Sequence, residues 1–313
     1  MDSAPPKVSF GLPVRNRDQF VGRAIESLLC QSLEDIEIVI SDNASTDRTS
    51  QICQEYASRD RRIRYSRNER DLGVYENFNR LVGMSRGTYF RWLGSDDWVE
   101  PDYAKACYEA FEADPRCTGA TTYQMHVDDQ GKRFYREHEG PRVDSDRPDE
   151  RFLRMLWFLH REHWLMDPVF CMYRRSALAN TRLFLTMARA DRILSAELAL
   201  AGPYCHVPRC LSNRRFRYES EEMTAARCRT PGEIELDATP FTRVKELLRA
   251  VRRAPLSRSQ SARCQAAAIG FVLEDIRGDA MLSLRTHLYA NARRVGLSRA
   301  RLRALSARFS GHD

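Results

Sequence analysis

Apolar and polar positions alternate between two rhythms along the first hundred residues. Val8-Ser9-Phe10-Gly11-Leu12-Pro13 is a short apolar run stopped by proline and predicts a first strand. From Asp18 to Leu29 the residues Phe20, Val21, Ala24, Ile25, Leu28 and Leu29 recur at helical spacing. Ile36 to Ile40 predicts a second strand, which runs into the polar cluster Ser41 to Asp47 that ends one element and caps another. Ile52 and Tyr56 mark the next helix, and Ile63-Arg64-Tyr65 a third strand. Gly73 breaks the loop; Tyr75, Phe78 and Val82 then line a helix that Gly87 ends. Thr88 to Leu93 alternates as a buried strand, and Pro101 suits the first turn of a helix behind it. This succession predicts an α/β fold, a parallel sheet with helices on both faces.

The pattern loosens beyond residue 117. Thr118 to His126 and Arg133 to His138 flank the turn cluster Asp128 to Gly131 and predict a hairpin. Arg151 to Leu159 is helical and aromatic-rich, and Trp164 to Pro168 is a loop leading into Val169 to Tyr173. Ala190-Asp191-Arg192 opens a helix with Ile193, Leu194, Leu198 and Leu200 on its apolar face, and Gly202-Pro203 terminates it. Past Pro240 three apolar stripes predict helices: Val244, Leu247, Leu248, Val251; then Ile269, Val272, Leu273, Ile276; then Met281, Leu284, Leu288. Leu302, Leu305 and Phe309 follow among Arg299, Arg301, Arg303 and Arg308.

Composition narrows the class. With 313 residues, 42% hydrophobic and 30% charged, the chain can bury a sizeable core as one large domain with an appendage, or as two. No run approaches the roughly 18 apolar residues of a bilayer span. The N-terminus lacks an apolar h-region, so no secretory signal is expected. Nine cysteines without a CxxC pair fit a reducing compartment, each as a small buried hydrophobe. His160 and His163 share a helix face, but no third metal ligand lies near them in sequence. The net charge of +7 is uneven: residues 241–313 hold 15 Lys and Arg against 5 Asp and Glu.

The candidate chemistry gathers after predicted strands. Leu93-Gly94-Ser95-Asp96-Asp97-Trp98 puts two adjacent carboxylates at a strand end, a hard oxygen site for Mg²⁺ or Mn²⁺ carried with a diphosphate. The alternative is that they punctuate a turn and cap a helix. Pro13 to Arg15 and Asp42 also fall at strand ends, where ligands of such sheets bind. No GxGxxG follows the first strand and no GxxxxGK[ST] occurs, which removes the main support for dinucleotide and P-loop readings.

These residues carry a resemblance. Val8 to Asn16, Ile40 to Asp47, Gly73, Gly87 and Ser95-Asp96-Asp97 together look like the nucleotide-sugar half of family 2 glycosyltransferases, inverting enzymes with the GT-A fold. The likeness is good over about residues 8–120 and looser to about 215. It implies a GT-A-like, mostly parallel sheet flanked by helices over residues 1–240, with about 121–240 as the acceptor half and 241–313 as a basic helical extension. It implies that Asp42 accepts the imide N–H of a nucleobase, that Asp96 lies near the ribose, and that Asp97 binds the metal bridging the diphosphate. Pro13 and Arg15 join the donor site; Arg15 stands where relatives often stack an aromatic on the base, and a guanidinium can stack too. Gly94 replaces the first Asp of the common D-x-D, which leaves fewer metal ligands.

Asp191-x-x-Leu194, followed by Ala201-Gly202 and His206-Val207-Pro208, resembles the family's catalytic segment, with Ala190 in place of its usual Glu. Asp191 is then the expected base, and Arg214 with Arg215 suits either a bidentate contact with the diphosphate or ordinary surface charge. Trp157, His160 and Trp164 suit either sugar contact or core. The expected activity is transfer of a sugar from a nucleoside-diphosphate donor to a glycan or lipid-linked acceptor in cell-envelope synthesis. The expected location is cytoplasmic, peripheral on the inner face of the membrane through 241–313. The tail's alternative role is a helical subdomain with a solvated basic face. No zinc, RNP or helix-turn-helix signature supports a nucleic-acid partner. The rivals are a nucleotide-sugar-binding module without catalysis, for which Gly94 and Ala190 speak, and a sugar nucleotidylyltransferase, whose Gly-rich, basic loop is missing after the first strand.

Overall fold

The computed structural model of the chain describes residues 4–135, 137–138, 142–215 apart from 162–167, and 239–294, without the side chains of 161 and 278–294. Trp164, His163, the stripe of Met281, Leu284 and Leu288, and the residues around Leu302 to Phe309 therefore lie outside the described residues or side chains.

β1 (Val8–Val14) pairs in parallel with β2 (Ile36–Asp42) on one side and β4 (Tyr89–Trp92) on the other, and β3 (Ile63–Arg67) continues the sheet beyond β2. Every residue of β1, β2 and β4 is buried. Coverage on both faces is why these strands read as near-continuous apolar runs. α1 (Val21–Leu29), α2 (Thr49–Arg59) and α3 (Val74–Met84) make the crossovers. α1 buries Val21, Ala24, Ile25 and Leu28 on one stripe, as its spacing predicts.

Beyond β4 the chain departs from simple alternation. β5 (Trp98–Val99), α4 (Tyr103–Ala113), β6 (Gly119–Val127), β7 (Arg133–Phe134), α5 (Pro148–Arg161), a 3₁₀ turn at Pro168–Phe170, β8 (Met172–Arg174), α6 (Arg175–Ala179), α7 (Ala190–Ala201) and β9 (Tyr204–Arg215) follow in order. The sheet runs β3-β2-β1-β4-β8-β6-β9-β5, with β7 paired to β6. β8 is antiparallel to both β4 and β6, β5 is antiparallel to β9, and β6 and β9 are parallel.

The structure differs from the sequence pattern at five places. The hairpin forms, but β7 keeps only Arg133 and Phe134 in register with Val127 and His126. Val169 sits in the 3₁₀ turn and not in a strand, because Pro168 starts it and has no N–H for a ladder. β5 is too short to leave a periodic signal. Pro101 lies in the turn ahead of α4, whose N-cap is Asp102. Within β9 the register jumps from Val207 opposite Thr122 to Cys210 opposite Tyr123. Pro208 and Arg209 are left out of the pairing there, a bulge at the residue that cannot donate.

The last helices are α8 (Pro240–Arg253) and α9 (Arg258–Arg294). Thr239 caps α8 by accepting the N–H of Thr242, and Pro240 follows at the first helical position. Leu247, Ala250 and Val251 are buried as α8 packs on α7. Arg182 ties the two helices: its side chain pairs with Glu197 of α7 and with Glu246 of α8. A compact unit ends at Ala268 and a second begins at Ile269, where α9 exposes Ile269, Leu273 and Ile276. No helix among the described residues is long and apolar enough to cross a membrane.

Candidate active site

The carboxyl ends of β2, β1 and β4 are neighbours in the sheet and bring three of the expected segments together. Pro13 is buried in β1 in register with Ser41, and Arg15 emerges just beyond it, half exposed and paired with Asp71. Asp42 closes β2 with no solvent exposure. One of its oxygens accepts the Ser45 N–H at 2.9 Å; the other accepts the Tyr65 hydroxyl at 2.7 Å and the Ser50 hydroxyl. Burial alone would raise its pKa, but these donors outweigh it and hold Asp42 below the ordinary carboxylate range. It is an ionised acceptor with lone pairs remaining for one more donor.

A ring of amides surrounds this end, which the sequence pattern did not single out. Asn77 accepts the Ser41 hydroxyl at 2.7 Å and donates to the Ser41 carbonyl at 3.0 Å. Asn68 donates to Asn43 and Asn77, each at 3.1 Å, and Asn43 accepts the Leu72 N–H at 2.9 Å. A signal was available: Asn77 is four residues from Leu81, so a polar residue occupies the buried stripe of α3. Asn16 and Ala44, in the loops after β1 and β2, both hold positive φ, at 50° and 57°. Such strain gathers where loops are shaped for a ligand.

After β4, Leu93 bonds to the Gly11 carbonyl and the chain turns, with the Asp97 N–H on the Gly94 carbonyl at 3.0 Å. A Cβ at Gly94 would sit 2.6 Å from Asp97 Oδ2, so glycine is what lets this carboxylate fold back over the turn. Asp97 is nearly buried, Asp96 partly so. Burial pushes Asp97 up to about 6, Arg214 opposes that, and Asp96 adds to it. No cluster of three or more His, Cys, Asp or Glu side chains suited to a metal occurs among the described residues. The pair still fits a divalent ion: two crowded carboxylates are hard oxygen donors whose repulsion a dication relieves, and Mg²⁺ commonly takes its other ligands from phosphates and water.

β9 delivers Arg214 and Arg215 to the same place. Arg215 donates its backbone N–H to Asp97 Oδ1 at 3.0 Å, and the Arg214 guanidinium lies 5.0 Å from the Phe170 ring. The 3₁₀ turn that carries Phe170 packs against α7, whose first turn holds Asp191. Arg189, just ahead of that turn, is left-handed at φ 59°. Asp191 is open to solvent, yet surrounding protein raises its carboxyl above the ordinary value, with Arg192 opposing. Ala190 beside it is fully buried, which leaves no room for a longer side chain there. Trp157 is exposed and its ring lies 6.0 Å from the His138 ring.

The comparisons agree with this geometry. The family model described as Glycosyl transferase family 2 matches residues 9–182, more than half of the chain. Chondroitin synthase of Escherichia coli is 32% identical over 136 residues, which are 44% of this chain and 20% of that protein. The putative glycosyltransferase EpsH of Bacillus subtilis is 28% identical over 152 residues, 49% of this chain and 43% of the relative. The chain thus spans less than half the length of these relatives. Among solved structures, Staphylococcus aureus TarS 1-349 in complex with UDP-GlcNAc superposes with TM-score 0.62 at 17% identity, covering 85% of this chain and 72% of that one. The mannosyltransferase PcManGT of Pyrobaculum calidifontis, in complex with GDP-Man and Mn²⁺, gives 0.51 at 13% identity, covering 93% and 81%. At such identities the structures establish the fold, which is GT-A. By the match of its sequence to the family model, this chain belongs to glycosyl transferase family 2.

Proposed function

We propose that this glycosyltransferase moves a sugar from a nucleoside diphosphate to an acceptor hydroxyl with inversion, in the synthesis of a cell-surface glycan or glycolipid. The observation that carries the reading is the placement of Asp42 and the Asp96-Asp97 pair at the ends of the two strands that flank β1, with Arg214 beside the second. Residues 8–120 form the donor half and 121–240 the acceptor half. Asp42 accepts the base imide, Pro13 and Arg15 flank the base, and Asp96 lies toward the ribose. Asp97 holds a Mg²⁺ or Mn²⁺ ion, which when bound neutralises charge on the leaving diphosphate. Arg214 adds a fixed positive charge to the same end. Asp191 takes the proton of the acceptor hydroxyl as that oxygen attacks the anomeric carbon. Its raised pKa makes it a stronger base than an ordinary carboxylate.

The names of the relatives support a polysaccharide acceptor, and the titles of the solved neighbours support a UDP- or GDP-sugar and Mn²⁺. The basic 241–313 segment supports a place on the inner, anionic face of a membrane. The test is a thermal-shift screen of UDP-, dTDP- and GDP-sugars with and without Mn²⁺, followed by a turnover assay on any donor that raises Tm. Binding that needs metal supports the reading. No shift with any donor refutes it, and binding without turnover leaves a nucleotide-sugar-binding module.

A further inference from the structure

Beside the donor end lies a cluster of guanidinium groups that the transfer reaction does not use. Arg133 on β7 and Arg215 on β9 both sit directly opposite Val127 of β6, so the three residues form one rung across adjacent strands. In-register neighbours point to the same face. Trp98 of β5 is in register with Asn213, two residues before Arg215 and hence on that face as well. Arg23 of α1 covers Trp98, its guanidinium carbon 3.3 Å from a ring centroid. Arg215 in turn lies over Phe20, at 4.4 Å.

Stacking on Trp98 places Arg23 and strand register places Arg133, while Arg215 stacks on Phe20 and also pairs with Asp129. Among the described residues the side chains of Arg23 and Arg133 make no hydrogen bond and no ion pair. Among the described residues three carboxylates stand near: Asp129 accepts from the Arg215 side chain at 3.0 and 3.2 Å, Asp97 accepts the Arg215 backbone N–H at 3.0 Å, and Glu100 accepts from Asn213 at 2.8 Å. Burial lowers Arg23 below the ordinary guanidinium value, Arg133 and Arg215 lower it further, and Glu100 opposes them. Like charges gathered from α1, β7 and β9 cost electrostatic energy that a bound anion offsets, and guanidinium forks match oxyanions in a bidentate fashion.

We propose that Arg23, Arg133 and Arg215 form a subsite for an oxyanion, phosphate or carboxylate, carried by the acceptor chain. The subsite rests on the proposed transfer reaction, and it is separate from Arg214, which faces the donor diphosphate. It adjoins the donor end because Arg215 also supplies the backbone N–H that Asp97 accepts. An acceptor bound there is a repeating anionic polymer or an oligosaccharide bearing a charged unit, and a neutral glycan gains nothing from it.

Calorimetric titration of the full chain with three probes tests this: a glycerol-phosphate hexamer, a galacturonate hexamer and neutral maltohexaose, each with and without saturating UDP and Mn²⁺. The expected result is salt-sensitive binding of at least one charged oligomer and none of maltohexaose. In Arg23→Gln/Arg133→Gln that affinity falls at least about tenfold, while UDP affinity stays within about twofold. Arg23→Lys/Arg133→Lys retains most of it, and Arg133→Gln alone, at an exposed position without bonds, gives an intermediate loss in a protein of unchanged Tm. Binding of neither charged oligomer by the wild type, undiminished binding by the glutamine double variant, or a parallel loss of UDP affinity overturns the proposal. If UDP fails to bind the wild type, the donor reading fails, and the titrations without UDP still decide the anion subsite.

Discussion

Arg215 gives its backbone N–H to Asp97 across 118 residues of sequence, at 3.0 Å. This bond ties β9 to the turn that carries Asp96 and Asp97. It depends on the two register shifts of β9, after Thr122 and after Tyr123, which together move the strand by three residues and decide that Arg214 and Arg215, and not their neighbours, meet the turn. A loop-borne carboxylate at a strand end would otherwise have only its own short turn to hold it.

Asp97→Asn keeps an acceptor for that N–H and removes the charge. Affinity for UDP measured with Mn²⁺ should fall to the value measured without it, and Tm should hold. Undiminished metal dependence in the variant would show that the ion is bound elsewhere.

Asp191→Asn should lower transfer by roughly 10² to 10⁴, the usual worth of a positioned base, with donor affinity unchanged. The acidic limb of the wild-type pH–rate profile, set above the ordinary carboxylate range by the protein around the group, should vanish in the variant. A raised folded-state pKa means that folding disfavours the charged form, so removing the charge should not lower Tm at neutral pH. Near-full transfer by the variant would assign the base to another carboxylate.

Gly202 ends α7 with extended backbone, φ 178°, so it is not there for a left-handed turn. A Cβ would meet Thr118 Cγ2 at 2.3 Å. Gly202→Ala should therefore cost about 1–3 kcal/mol by overpacking, and adding Thr118→Ala should recover part of it. Denaturant melts of the two single variants and the double variant decide this; strict additivity would exclude the contact as the cause.

Glu37 is buried in β2 and accepts from the Arg86 N–H at 2.6 Å, the Ser9 hydroxyl at 2.7 Å, and Arg64 and Arg86 at 3.1 Å. Burial raises its pKa, but these donors outweigh it and the net shift is downward. A depressed folded-state pKa contributes stability that is present above the unfolded value of about 4.3 and lost as pH falls through the folded one. Glu37→Gln should then be about 1–3 kcal/mol less stable near pH 6, with the gap to wild type narrowing below about pH 4. Unfolding free energies between pH 3 and 6 would show a constant gap if the carboxylate's charge were irrelevant.

Cutting the chain after Pro240 removes Glu246 from Arg182 and uncovers the face of α7 that Leu247, Ala250 and Val251 cover. That fragment should aggregate, whereas residues 1–268, which end with the first compact unit, should stay folded. Sedimentation with phosphatidylglycerol vesicles then separates the tail's two roles. Weaker binding by 1–268 than by the full chain supports a membrane-surface role for the rest, and equal binding removes it.

The sequence by itself determined the architecture of the first hundred residues. Unbroken apolar runs can only be strands covered on both faces, and helical stripes between them force right-handed parallel crossovers. Asp42 and Asp96-Asp97 were legible because polar residues directly after such runs must lie at strand ends. The tertiary structure alone decided what those ends meet. β5 and β7 hold two residues each, too few for a period, so the rung that aligns Arg133 with Arg215 leaves no local trace. The approach of Arg215 to Asp97, of Arg182 to Glu246 and of Gly202 to Thr118 depends on register and packing between distant segments. Periodicity reports which face a side chain takes, and only the assembled sheet fixes its neighbour.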